Sequence, residues 1–289
     1  MKFTQDQFFK TSDGAYIYFE DIGKGKPLIL MPGFLATTLF FKRNVSALSK
    51  HYRIITFDPR GQGRSSKSQG NNTVIRNALD IKELVDHLGL EDVVIGGWSL
   101  ASSVVVSYAK ITDSYKLKGL ILIDGSLHPF SDHQWNKHRS RSYDVDNWLQ
   151  VYMPLYHEAD AFYNKFIQRI SNGEMSDDDR DWIINEFKLT PPWTALELHY
   201  DFCQTDNFRT LASLSVPVSI FGGDSNDYGL DMVDAYAKEI KGYSEINKFY
   251  KSGHMMFYYE ADKFNSCVVL FMEKVHDKYR LQKLKGGEL

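Results

Sequence analysis

The chain has 289 residues, of which 43% are hydrophobic and 25% charged, with a formal charge of −3. That size suits one α/β domain with room for an insertion. The near-neutral balance leaves no electrostatic footprint for nucleic acid or an anionic membrane surface.

In chain order, residues 8–11 and 15–20 are β-rich and joined by Ser12-Asp13-Gly14, which predicts a hairpin. Short apolar runs follow at 27–31, 52–57, 93–96, 117–123 and 216–221, with a further β-rich run ending near Phe249. Continuous β-branched runs of this kind suit strands buried on both faces of a parallel sheet. Helical patterns separate them. Residues 74–88 place Ala78, Ile81, Leu84, Val85 and Leu88 on one stripe, and 100–110 and 232–240 are further helices. The alternation predicts a doubly wound, mostly parallel α/β sheet.

Between His128 and Asn207 the alternation stops and the sequence becomes aromatic-rich and helical. Ser176-Asp177-Asp178-Asp179 reads as a capped helix start, and Thr190-Pro191-Pro192 as the end of one helix and the start of the next. The expected organisation is a core of residues 1–127 and 208–289 with a helical cap of 128–207 inserted into it.

Gly97-Trp98-Ser99-Leu100-Ala101 follows the run at 93–96 and precedes a helix. Strand, tight turn and helix are the setting of a nucleophile elbow. Its central residue takes a strained backbone, and the residues two positions to either side must be small, as Gly97 and Ala101 are. Ser99 would then present its hydroxyl at a helix N-terminus, where developing negative charge is favoured. An ordinary helix-capping serine is the competing reading.

Leu30-Met31-Pro32-Gly33-Phe34 closes an early strand. A turn there would aim the Phe34 amide at the nucleophile, with the Leu100 amide as second donor. Two fixed amides facing a tetrahedral oxyanion contribute about 3 kcal/mol each. A plain Pro-Gly strand end is the alternative. Near the C-terminus, Ser252-Gly253-His254 presents an imidazole whose ordinary pKa suits proton exchange with a serine near neutrality. Nucleophile first and histidine last is the chain order of an α/β hydrolase. The other eight histidines fall in surface or cap contexts, with His128 held in reserve as a pocket residue because it follows a strand end.

Elbow, Pro-Gly-Phe turn and Ser-Gly-His together resemble the α/β-hydrolase superfamily, closest to its esterase, cofactor-free haloperoxidase and C–C hydrolase group. Asp58-Pro59-Arg60-Gly61-Gln62-Gly63-Arg64-Ser65 resembles a further hallmark turn. Two departures stand out. Met31-Pro32 replaces the histidine usual before the oxyanion glycine, and Ala101 replaces the last elbow glycine. The resemblance implies an acid after the strand at 216–221, but the position expected to carry it is Ser225, flanked by Asp224 and Asp227. The other placement in the superfamily lies one strand earlier, where Asp124 stands 25 residues after Ser99. Asp124 is preferred, Asp227 comes second and Asp224 third. A loop-bracing aspartate is the competing reading for Asp124.

The expected function is hydrolysis of a small or medium apolar ester or lactone through an acyl-enzyme on Ser99. The cap aromatics Trp135, Trp148, Tyr152, Tyr156, Phe162, Phe166, Trp182 and Trp193 are available for a pocket or for packing, and Trp98 and Phe34 for flanking the nucleophile. Other readings are C–C hydrolysis, a cofactor-free oxygenase using a His–Asp dyad, and a binding protein without turnover. No zinc spacing, phosphate loop or dinucleotide fingerprint is present, so no metal or organic cofactor is expected. Cys203 and Cys267 read as reduced, buried thiols. Met1 to Asp6 holds no apolar run of signal length, which points to the cytoplasm. A homodimer through the cap or a sheet edge is compatible with the sequence, though no feature requires it.

Overall fold

The computed structural model describes residues 7–136, 144–171, 175–224 and 229–277. Eight strands form one sheet: β1 (Phe8–Lys10), β2 (Tyr16–Ile22), β3 (Pro27–Met31), β4 (Arg53–Phe57), β5 (Val93–Trp98), β6 (Leu117–Ile123), β7 (Val218–Gly223) and β8 (Ser244–Phe249). Their order is β1-β2-β4-β3-β5-β6-β7-β8. β2 runs antiparallel to both of its neighbours, β1 and β4, and all other pairs are parallel. The strands β3, β5 and β7 bury every residue, which is why they read as unbroken apolar runs.

The chain runs from β3 to β4 on one side and then returns to lay β5 on the other. That reversal opens a crevice at the carboxyl ends of β3 and β5, the usual ligand position in an open α/β sheet. Helices α1 (Lys42–Leu48), α2 (Val74–His87) and α3 (Leu100–Ile111) belong to this core, and α2 packs on α3. Thr73 caps α2 by accepting from the Arg76 amide.

Between β6 and β7 lies a helical insertion of α4 (Val145–Tyr152), α5 (Pro154–His157), α6 (Ala159–Ile170), α7 (Asp177–Phe187) and α8 (Pro192–Gln204). The Ser176 hydroxyl caps α7, with three aspartates in its first turn, and Pro192 opens α8. After the insertion come α9 (Leu230–Glu239), α10 (Met256–Tyr259) and α11 (Ala261–His276). Neither α1 nor α11 was expected from the sequence. In α11 the run Val268-Val269-Leu270-Phe271 is as compatible with a buried strand as with a helix. Here its apolar face, with Phe264, Val268, Phe271 and Met272 fully buried, wins the assignment. Cys203 is buried but Cys267 is only half-buried, and neither forms a disulfide. Among the described residues no helix is long and apolar enough to cross a membrane.

Two insertion helices are tied to the core by polar bonds. On α7, Glu186 accepts from the Thr37 hydroxyl and lies 3.5 Å from the Arg64 guanidinium. On α8, the Thr194 hydroxyl donates to Gly61 O at 3.0 Å, and Asp201 accepts from the Val74 amide at the start of α2 at 2.7 Å. A fully buried arginine, Arg60, then locks the turn that follows β4. Its guanidinium makes a two-pronged pair with Asp80 at 2.6 and 2.7 Å and a second with Asp13 at 2.9 and 3.1 Å. Burial pushes the Asp80 carboxyl above its ordinary value, and Arg60 and Arg76 pull it back only in part. Removing one partner of such a pair strands a charge in the core. Asp80→Ala should therefore lower stability by about 3–5 kcal/mol. Urea unfolding of the two proteins measures this, and a loss below about 1 kcal/mol would show the pair to be energetically idle.

Candidate active site

Ser99 stands between β5 and α3 with φ 58° and ψ −127°, a region non-glycine residues rarely occupy. The turn is held from both sides. The Ser99 amide donates to Ile123 O at 2.8 Å, and Ser99 O accepts from the Ser102 amide at 2.9 Å. A side chain at position 97 would put its Cβ 2.3 Å from Ala101 O, so glycine there is a steric requirement of the elbow. The Ser99 hydroxyl makes no capping bond to α3. It lies instead 2.9 Å from His254 Nε2.

His254 sits in the loop after β8 and is 2% exposed. Two contacts with Trp98 fix that loop: the indole N–H donates to His254 O at 2.9 Å, and the rings pack with centroids 5.1 Å apart. His254 Nδ1 lies 2.7 Å from Asp124 Oδ2. Asp124 follows β6 directly, is 1% exposed and takes φ 47°. Its amide extends the β6–β7 ladder to Phe221 O at 2.8 Å, while Oδ1 accepts from the Gly223 amide at 3.1 Å. An ionised carboxylate is acceptor-only, so Asp124 assigns the Nδ1 proton to His254 and leaves Nε2 facing the hydroxyl.

The end of β3 also reaches this point. A Cβ at Gly33 would lie 2.8 Å from Ser99 Cβ, so only glycine allows the approach. The following turn, which carries Phe34, is braced by Gln62. The Gln62 amide nitrogen donates to Gly33 O and Ala36 O, each at 3.0 Å, and its oxygen accepts from the Leu35 amide at 2.9 Å. Leu35 takes a positive φ of 63° within that brace. Leu100 opens α3, where first-turn amides have no helical acceptor. Both amides singled out in the sequence, those of Phe34 and Leu100, thus belong to segments that flank Ser99.

A cavity of about 10 Å³, room for about one water molecule, stands over Ser99. The core supplies Phe34, Ser99, Leu100 and His254 to its walls, and the insertion supplies Tyr152, Phe166, Arg169 and His199. The Phe34 ring is met edge-on by Tyr152, Phe166 and His199. Behind that wall the Trp148 indole donates to His199 Nδ1 at 2.9 Å, which makes the imidazole the Nε2–H tautomer.

The structure brings Ser99, His254 and Asp124 into one hydrogen-bonded chain. Asp224 is exposed at the end of β7, with its amide bonded to Phe249 O, and Asp227 lies outside the described residues. His128 is placed elsewhere, 3.5 Å from Asp206 and against His133, and does not line the cavity. Of the named cap aromatics only Tyr152 and Phe166 reach it. Trp182 packs on Phe40, Trp135 packs on Tyr236, and Trp193 and Tyr156 are exposed. Sequence reasoning missed three residues. Gln62 lay inside a quoted motif without a role, His199 was grouped with the cap histidines, and Arg169 was not singled out. A polar residue on the apolar stripe of an amphipathic helix is the signal that marks such positions. Among the described residues no group of three or more His, Cys, Asp or Glu side chains could hold a metal ion.

Comparison with known proteins places this geometry. Residues 26–261 match the family model described as the alpha/beta hydrolase fold. The chain is 25% identical over 267 residues to the AB hydrolase superfamily protein YisY of Bacillus subtilis, covering 91% of this chain and 98% of that protein. It is 26% identical over 233 residues to a non-heme haloperoxidase of Rhodococcus erythropolis, covering 76% and 81%. An esterase from Exiguobacterium antarcticum superposes with TM-score 0.86 at 22% identity, covering 92% of this chain and 99% of that one. A bromoperoxidase from Bacillus anthracis does so with TM-score 0.83 at 22% identity, covering 90% and 96%. The sheet order, the inserted helices and a family match over most of its length agree: this chain belongs to the α/β-hydrolase fold family.

Proposed function

We propose that the chain is a serine hydrolase that cleaves a small or medium carboxylic ester or lactone through an acyl-enzyme on Ser99. The observation that carries this reading is the unbroken chain from Ser99 Oγ to His254 Nε2 at 2.9 Å and from His254 Nδ1 to Asp124 at 2.7 Å. In the proposed reaction Ser99 Oγ attacks the carbonyl carbon as its proton passes to His254 Nε2. Asp124 stabilises the resulting imidazolium and holds the ring in place. The amides of Phe34 and Leu100 receive the oxyanion. Collapse breaks the carbonyl–oxygen bond, and the leaving alkoxide takes the proton from His254. Water then attacks the acyl carbon, giving its proton to His254, and Ser99 recovers that proton as the acid departs.

The aromatic wall of Phe34, Tyr152 and Phe166 supports an apolar environment around the reacting carbonyl. The relatives include proteins named as haloperoxidases beside the esterases, so the fold alone does not fix the bond broken.

A fluorophosphonate probe tests the nucleophile. Covalent labelling at Ser99, lost in Ser99→Ala, is expected. A ligand that binds stoichiometrically while Ser99 resists the probe would favour a receptor. Oxygen consumption in place of ester turnover would favour the dyad oxygenase. For the acid, Asp124→Asn should lower kcat on p-nitrophenyl esters by about four orders of magnitude, because the histidine tautomer is no longer fixed. Asp227→Asn should cost far less, and the reverse ranking would move the acid to the later loop.

A further inference from the structure

Gln62 does not line the cavity over Ser99, and the reaction proposed above gives it no part. Its side chain is nevertheless buried and directs its hydrogen bonds at one short segment. Both amide hydrogens go to carbonyls, Gly33 O and Ala36 O at 3.0 Å each, and the oxygen accepts from the Leu35 amide at 2.9 Å. Two acceptors face one end of the side chain and a donor faces the other, so only one orientation of the amide satisfies all three. Anchorage of the segment as a whole does not need this residue. Its far end is held separately, by the Thr38 amide donating to the buried Asp58 at 2.8 Å.

What Gln62 adds is direction. Gly33 O and the Phe34 N–H belong to the same peptide unit. That unit is trans and planar, so the two groups point in opposite directions. A donor that holds Gly33 O therefore fixes where the Phe34 N–H points. Donation to the carbonyl also polarises the unit and strengthens its N–H as a donor. The next peptide is held in the opposite sense, because Gln62 Oε1 takes up the N–H of Leu35, a residue at φ 63°. The Ala36 amide is turned inward as well, to Gly33 O at 3.2 Å. The amides of Leu35 and Ala36 are thus engaged inside the turn, while the Phe34 unit is gripped at its carbonyl end.

Resting on the acyl-enzyme reading above, we propose that Gln62 is the positioning residue of the oxyanion site. It sets the direction of the Phe34 N–H through Gly33 O, without touching substrate itself. Its effect then falls on the tetrahedral state, where the oxyanion forms, and not on binding of the neutral ester.

The test uses Gln62→Met, which keeps the length of the side chain, and Gln62→Asn, which keeps an amide but stops one methylene short. Two competitive inhibitors carry the acyl chain of the best p-nitrophenyl ester. One is the trifluoromethyl ketone: Ser99 Oγ adds to its carbonyl carbon, the serine proton passes to His254 Nε2, and the carbonyl oxygen becomes an oxyanion. The other is the matching trifluoromethyl secondary alcohol, which has the same bulk and no carbonyl to attack. In either variant the inhibition constant of the ketone should rise by about 100-fold, the scale of a misplaced or lost oxyanion donor, and kcat/KM should fall in parallel. The inhibition constant of the alcohol should stay within about threefold. Inhibition constants do not depend on the fraction of enzyme that is folded, so a less stable variant still reports. Equal weakening of both inhibitors would reduce Gln62 to general support of the pocket, and an unchanged ketone constant would deny it any role; either result overturns the proposal. Fluorophosphonate treatment of the wild type keeps the two readings apart. If Ser99 is labelled, those results refute only the role of Gln62, whereas an unlabelled wild type refutes the acyl-enzyme reading beneath it.

Discussion

Ser99 holds a backbone conformation that costs a non-glycine residue about 1–3 kcal/mol, and its neighbours over-determine it. The β5–β6 pairing carries its amide to Ile123 O, and the first turn of α3 takes its carbonyl. The Ser102 hydroxyl ties the far side of the turn to Gly97 O at 2.8 Å. Without that strain the hydroxyl would fold back to cap α3. With it, the hydroxyl stands clear of the helix and within reach of His254. Leu35 and Asp124, which also take positive φ, flank the same point. The segments after β3, β5 and β6 thus each place a positive-φ residue around this point.

The sheet order explains why those segments meet at all. β3 and β5 are adjacent only because the chain reverses its direction of winding between them. Gly33 therefore touches Ser99, and the elbow and the Phe34 turn share one crevice. β6 and β7, next in order, supply Asp124 and the Gly223 amide that holds its second oxygen. The loop after β8 has only to cross the end of β7 to bring in His254, and Trp98 of the elbow clamps it there. The turn after β4 closes the arrangement from the opposite side through Gln62, itself anchored by the buried Arg60 pairs with Asp80 and Asp13. Charge burial at Arg60 in this way supports the Gln62 brace beside Ser99.

The core was legible in the sequence because fully buried parallel strands and amphipathic helices leave unambiguous periodicities. The runs that became β3, β5, β6 and β7 were readable for that reason, and the caps Ser176 and Pro192 marked helix starts. α11 was not legible, since its apolar stretch fits two periodicities and only the packed partner decides between them. At the site, Ser99 and His254 carried local signals in their glycine neighbours. Asp124 needed knowledge of where related proteins keep an acid. Arg169 and His199 carried only the faint mark of a polar residue beside a helix's apolar stripe, and Gln62, on a turn, carried none, because the places they take arise only when distant segments pack together. The apolar character inferred for the pocket was likewise incomplete, for a guanidinium and an imidazole share its wall with the aromatic rings.

The central claim is spatial: the Ser99 hydroxyl, the His254 imidazole and the amides of Phe34 and Leu100 surround one reacting atom. The most direct measurement is a crystal structure of the chain after reaction with a fluorophosphonate. The account predicts phosphorus bonded to Ser99 Oγ and one phosphonyl oxygen about 2.7–3.1 Å from both amide nitrogens. A phosphonate on another residue, or a phosphonyl oxygen turned away from both amides, would contradict it.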